Sequence, residues 1–125
     1  MISTIEESEI PQFYLARSIV WVVPPNTTNG TTFQLIAAGH HPRMRLVKAQ
    51  STATVYATAP LDITLEEEDG TDHATVASSA TVFTPVDFTI TDNVWESDES
   101  VFAHVTDQGS ATNTAIVSLY FEAIH

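Results

Sequence analysis

The feature that most constrains the fold of this chain is a two-residue alternation of apolar and polar side chains. Residues 61–66 alternate Leu, Ile and Leu with Asp, Thr and Glu, and residues 86–91 alternate Val, Phe and Ile with Asp and Thr. Since successive side chains of a strand point to opposite faces of a sheet, each run predicts a strand with one buried face. No run keeps the i, i+3, i+4 spacing of an amphipathic helix.

Such runs follow one another from residue 17 to residue 123, separated by turn residues. Their short spacing predicts an all-β fold, an antiparallel β-sandwich or jelly roll of about eight strands. The apolar run at residues 18–23 predicts a strand buried on both faces. The long segment 43–58 alternates in two registers, which predicts a bulge or bend near Val47. The Asp69-Gly70 pair predicts a hairpin turn, with residues 74–83 as its return strand.

The length of 125 residues is typical of one domain. Residues 1–12 carry Glu6, Glu7 and Glu9 without a consistent period, and we expect them to form an N-terminal arm. Residues 13–125 are then the single β-sandwich domain. The first twenty residues lack the apolar run of a signal peptide, and no stretch approaches 18 apolar residues, so we expect neither a signal peptide nor a membrane span.

The net negative charge of the chain disfavours negatively charged partners. Sixteen acidic residues against four basic ones give a net charge of −12, which repels nucleic acids and anionic membranes. We therefore expect no nucleic-acid or membrane partner. The absence of cysteine excludes disulfides and thiolate metal sites.

The histidines and acidic residues of the sequence are candidate metal ligands, but their spacing does not favour a metal site. Adjacent His40 and His41 on an extended chain point to opposite faces and do not easily bind one ion. The acidic residues 66–72 offer oxygen ligands for calcium but lack the spacing of a loop that wraps one ion. A second acidic loop surrounds Trp95, and a weak cation site between protomers becomes more credible if the two loops meet. We expect no resident metal and no cofactor.

The sequence contains no catalytic motif, so we expect no catalytic residues and no enzyme activity. His73 and His104 are best explained as packed or surface imidazoles. A small lyase or hydrolase remains an alternative, and it requires a polar pocket in which one of these imidazoles has a carboxylate neighbour.

The positive charge is concentrated in Arg43, Arg45 and Lys48, which are three of the four Lys and Arg residues. On a strand the two arginines share one face and form a basic spot on an acidic body. They pair either within the chain, with residues 66–69 or the acidic arm, or with the arm or acidic loop of a neighbouring protomer, where Arg binds carboxylates through two parallel hydrogen bonds. Trp95 is predicted to be an exposed contact, to a protein chain or a sugar.

Between residues 17 and 123 the chain resembles small β-sandwich virion proteins of tailed bacteriophages, namely capsid decoration (cement) and head-fibre proteins. The resemblance lies in an apolar first strand, a strand like RMRLVKAQSTATVYAT, a polar hairpin, a TDN turn before VWESDES, and the closing VFAHVTDQGSATNTAIVSLYFEA. It implies a jelly-roll or immunoglobulin-like sandwich, often trimeric, that clamps capsid subunits while a terminal arm lies on the shell. Residues 1–12 match that arm by position only.

This resemblance sets the functional expectation. The chain is expected to be a non-enzymatic capsid decoration protein, a homo-oligomer and most simply a trimer, whose partner is the major capsid protein. It would be made in the host cytoplasm and reside on the capsid surface of the virion. The alternative is a carbohydrate- or receptor-binding β-sandwich module of a phage tail or head fibre.

Overall fold

The computed structural model describes residues 16–124, which form ten β-strands and, within that range, no helix. In chain order the strands are β1 (Ala16–Val23), β2 (Thr31–Ile36), β3 (Met44–Val55), β4 (Asp62–Glu66), β5 (Asp72–Ala77), β6 (Pro85–Asp87), β7 (Thr89–Ile90), β8 (Val94–Trp95), β9 (Val101–Asp107) and β10 (Thr114–Ala123).

The strands make two antiparallel sheets of five strands each. Sheet A has the order β1-β10-β3-β6, with β8 also paired to β3, and sheet B has the order β2-β9-β4-β5-β7. The chain changes sheet at most connections, so only the β4–β5 hairpin joins consecutive strands of the described residues within one sheet. The all-β sandwich prediction is confirmed. The jelly-roll topology stays a prediction, and the proposed arm, residues 1–12, lies outside the described residues.

The core lies between the sheets and is built from the side chains that alternate inward. Sheet A contributes Ala115, Val117, Leu119 and Phe121 of β10, all almost fully buried. Sheet B contributes Ile63 and Leu65 of β4, together with Val101, Ala103 and Val105 of β9. The two-residue alternation of the sequence therefore identifies the core face of these strands correctly.

The irregularity predicted near Val47 is a β-bulge in a single long strand. Leu46 pairs with Phe121 and Lys48 with Tyr120, which leaves Val47 as the additional residue of β3. The additional residue keeps Leu46 and the following inward residues on the core face, although their spacing in sequence shifts by one. The strand continues to Val55 without changing sheet.

The prediction that residues 18–23 are buried on both faces is wrong. β1 is an edge strand that pairs with β10. Its inward residue Val23 is fully buried, but Val20 and Val22 are 69% and 57% exposed. Their side chains belong to the outer face of sheet A, which no second layer of the described residues covers.

The chain between β5 and β8 is less regular than its pattern predicts. The strand expected over residues 74–83 ends at Ala77. The alternating run that follows is divided between β6 in sheet A and β7 in sheet B, with Phe88 buried between them. The hairpin predicted at Asp69-Gly70 is confirmed, with Gly70 at φ +86° and its amide donating to the Glu67 carbonyl oxygen at 3.0 Å.

Candidate functional site

The two arginines of the predicted basic spot are paired within the chain. Arg43 Nε lies 3.0 Å from a carboxylate oxygen of Glu96, and Arg45 Nη2 lies 3.3 Å from Glu122 Oε1. All four side chains are about half exposed, so each pair contributes at most about 1 kcal/mol. The partners are thus not residues 66–69, and Glu6, Glu7 and Glu9 of the arm lie outside the described residues.

Lys48 lies on the same outer face of sheet A as Arg45, beyond the β-bulge at Val47. It is exposed and pairs across β3 and β10 with Tyr120, which in turn pairs with Ser18 of β1. Within residues 16–124 no carboxylate forms an ion pair with Lys48. The structure therefore separates the basic cluster into two paired arginines and one lysine that is available for contact.

The outer face of sheet A has a shallow apolar depression, which we call the sheet A pocket. Two small side chains, Ser18 and Ser118, lie diagonally between larger neighbours and leave a volume of about 200 Å³. No carboxylate of the described residues lines it. Its main lining residues are Ser18, Val20, Lys48, Gln50, Ser118 and Tyr120.

The prediction that Trp95 is an exposed contact is wrong. β8 pairs with the start of β3, with Trp95 opposite Met44, and this pairing turns the indole into the core, where it is fully buried. It packs edge-on against Phe121, with ring centroids 5.7 Å apart and planes at 81°. Glu96 and Asp98, which follow in the loop, are exposed, so the polar sequence around Trp95 concealed a core position.

Next to Trp95 is a buried polar cluster centred on His73. The imidazole is fully buried, with Nδ1 2.8 Å from the Asp92 carbonyl oxygen and Nε2 2.6 Å from Glu67 Oε2. Both ring nitrogens face oxygen atoms, so hydrogen bonds hold the imidazole from two sides. The fully buried ring therefore connects the two acidic loops.

The two acidic loops therefore meet, but within one chain. Besides the His73 contacts, the Ser100 amide donates to Glu68 Oε1 at 2.7 Å. Burial raises the pKa of Glu99, and the neighbouring Glu67 carboxyl group adds to the increase. Among residues 16–124 no group of three or more His, Asp or Glu side chains is arranged to hold a metal ion.

The other histidines are accounted for individually. Each ring nitrogen of buried His41 faces a backbone carbonyl oxygen, that of Pro42 at 2.7 Å and that of Glu99 at 2.6 Å, while His40 is exposed. His104 Nδ1 lies 3.1 Å from Glu66 Oε2 on the outer face of sheet B. This imidazole–carboxylate pair is what the hydrolase alternative requires, but neither residue lines the trough described next.

A polar trough of about 460 Å³ lies on the outer side of sheet B. Asp62 and a series of threonines form its floor, and β6 and β7 form one wall. Asp62 Oδ1 is buried there without a hydrogen-bond partner, and burial followed by the charge of Asp107 raises the pKa of the Asp62 carboxyl group. None of the described residues lining the trough is aromatic. Its threonines are Thr64, Thr75, Thr89 and Thr106.

One exposed aromatic residue was missed by sequence reasoning. Phe83, in the loop between β5 and β6, is 70% exposed and has φ +60°, a left-handed conformation that bulky residues rarely adopt. The segment was predicted to be a strand because Thr81, Val82 and Phe83 have strand-forming side chains. No local signal in the sequence indicates the loop.

Comparison of the chain with protein-family models and with curated proteins gave no match. Residues 16–124 also contain no helix of the length and apolarity needed to cross a membrane.

Proposed function

We propose that this chain is a non-enzymatic structural protein of a virion, a decoration protein that binds the outer surface of a capsid as an oligomer and stabilises it. The observation that carries the proposal is the outer face of sheet A. On a chain of net charge −12, this face presents exposed Val20 and Val22 and a pocket without carboxylates. Although Glu122 and Asp87 lie elsewhere on this face, the pocket and the two valines offer a protein partner an apolar contact without a carboxylate.

Avidity supplies the mechanism of stabilisation. Each protomer contributes a modest apolar contact, and an oligomer that binds several capsid subunits at once converts the later contacts into intramolecular ones. Subunits bridged in this way separate only when several contacts break together. The shell then ruptures at a higher temperature or internal pressure.

The first test is an inventory of purified virions by quantitative mass spectrometry. Decoration of a shell predicts hundreds of copies per particle, as an order of magnitude for avid coverage of a repeating surface. A handful of copies would instead indicate a tail or vertex location, and absence from the particle would refute the proposal.

The second test adds the protein back to capsids that lack it. The temperature of genome release is measured with a DNA-binding dye, with and without the protein. We expect wild type to raise this temperature and Val20→Glu to lose the effect, since the new carboxylate lies on the docking face. Thr32→Glu places the same charge on the exposed face of sheet B and serves as the matched control. Equal protection by both variants would contradict docking through sheet A.

The trough on sheet B favours a second candidate function, binding of a neutral carbohydrate. Hydroxyl groups of a sugar can donate to the Asp62 carboxylate, whose Oδ1 lacks a partner, and exchange hydrogen bonds with the threonines. The aromatic platform expected at Trp95 is buried and takes no part. A glycan array in which binding is lost in Asp62→Ala and retained in Asp98→Ala would favour this function over decoration.

A further inference from the structure

Phe83 combines exposure with an unfavourable backbone conformation. Its side chain is 70% exposed, its neighbour Val82 is 38% exposed, and its φ is +60°. The Phe83 amide donates to the Ala53 carbonyl oxygen at 2.7 Å, which fixes the loop against the end of β3. A bulky residue kept in this region of φ and exposed to water is unfavourable in the isolated protomer, and such positions often lie at contact sites.

The sheet A pocket is large enough for one aromatic ring. Its volume of about 200 Å³ exceeds the ~150 Å³ of an enclosed apolar cavity that binds benzene, although this depression is open to solvent on one side. Its lining is mainly apolar and includes Tyr120 and Lys48. A phenyl ring that enters the pocket therefore has an aromatic residue and a cationic residue among its neighbours, as aromatic stacking and cation–π contacts require.

We propose that Phe83 of one copy of this chain inserts into the sheet A pocket of a second copy. Electrostatics is compatible with this mode of self-association. Two chains of net charge −12 repel each other over most of their surfaces, but the pocket is lined by Lys48 and by no carboxylate of the described residues, and the nearby Asp87 carboxylate accepts a hydrogen bond from the lining residue Gln50 at 2.9 Å. A neutral apolar side chain that enters the pocket adds no negative charge to this surface.

The geometry of the contact determines the kind of assembly. Phe83 and the pocket are different patches and each copy offers both, so two copies that exchange Phe83 side chains form a two-fold dimer, whereas one-way insertions run head to tail. Head-to-tail contacts of this kind close into a ring when the rotation permits it. The inference deepens the oligomer of the proposed function but does not require a capsid, so the two are tested separately.

Sedimentation velocity across a concentration series tests the association. We expect wild type to associate, and both Phe83→Asp and Ser118→Trp to be monomers, because one removes the inserted ring and the other fills the pocket. Thr84→Asp and Ser97→Trp are matched controls that add the same groups at exposed positions and should associate as wild type does. A wild type that is monomeric throughout would overturn the proposal.

Mixing the two defective variants provides the sharper result. Phe83→Asp retains an open pocket and Ser118→Trp retains Phe83, so a mixture has one intact contact and should form a one-to-one dimer. If Ser118→Trp dissociates the protein while Phe83→Asp does not, the pocket is occupied by another segment, such as residues 1–15, and the proposal is wrong.

Cross-linking identifies the contact directly, since the chain has no cysteine. Under mild oxidation, Phe83→Cys mixed with Ser118→Cys should give a disulfide-linked dimer at least tenfold faster than Phe83→Cys mixed with Ser97→Cys. Equal rates would refute insertion at this site. Presence or absence of the protein in virions leaves this result unchanged, so failure here and failure of the capsid proposal are distinguishable.

Discussion

The imidazole of His73 lies flat on the indole of Trp95, with ring centroids 3.7 Å apart and planes 17° from parallel. Both rings are fully buried, and the imidazole also bonds Glu67 from the β4–β5 hairpin. This stack joins the acidic hairpin to the loop that contains β8. It therefore explains why two carboxylate-rich segments that repel each other lie side by side.

We expect His73→Ala to lower the free energy of unfolding by about 3 kcal/mol, because it leaves Glu67 without its partner and opens a cavity beside Trp95. Urea denaturation followed by tryptophan fluorescence measures the change. His40→Ala, at an exposed histidine outside this cluster, should change stability by less than about 0.5 kcal/mol. Equal effects of the two substitutions would show that the cluster does not stabilise the fold.

Gly109 is a position where a methyl group has no space. A Cβ atom there would contact the backbone carbonyl oxygen of Ala59 and would lie 2.5 Å from that of Pro60, and the φ of Gly109 is +77°. We expect Gly109→Ala to destabilise the protein by about 3 kcal/mol or more, from strain and displaced backbone. Gly30→Ala is the matched control, since φ is +91° but nothing lies within 4 Å, and it should cost about 1 kcal/mol.

Asp62 should make stability depend on pH in an identifiable way. Burial, and secondarily the charge of Asp107, raises the pKa of this carboxyl group above its usual 3.8. The folded state therefore binds the proton more tightly than the unfolded chain, and this contribution to stability falls as pH rises from about 3.8 through the folded pKa.

We accordingly expect Asp62→Asn to raise the melting temperature at pH 7 and to have no such effect below pH 3.8. The gain should stay under about 1 kcal/mol because the group is partly solvated. Asp98→Asn, an exposed site, controls for the loss of one negative charge. An advantage of Asp62→Asn that persists unchanged at pH 3 would contradict the assignment.

The conformation of Phe83 predicts that removing its side chain stabilises the protomer and weakens its association. Phe83→Gly removes the left-handed strain and should stabilise the dilute protomer by up to about 1 kcal/mol. Thr84 has no positive φ, so Thr84→Gly should destabilise the protomer. Thermal melts at a concentration too low for association measure the stability of both variants. A Phe83→Gly protomer less stable than wild type would show that the loop carries no strain.

The sequence predicted the strands whose pattern is set by one buried face. The β4 run, the hairpin turn at Gly70 and the bulge at Val47 all follow from local chemistry, because alternation and turn conformation are decided by near neighbours. The pattern gave the wrong prediction where apolar residues are exposed. It placed Val20 and Val22 in the core, but both are exposed because β1 is an edge strand. Whether a strand lies at an edge is determined only by the order of strands in the sheet.

The chain by itself thus determined its class, an acidic, cysteine-free, all-β domain, and which side of most strands faces the core. Only the tertiary structure decided the surfaces. It buried Trp95 against His73, paired Arg43 and Arg45 within the chain, and left Phe83 and the sheet A pocket open. The physical reason is that periodicity is a property of neighbouring residues, whereas exposure depends on which distant strands come to lie against them.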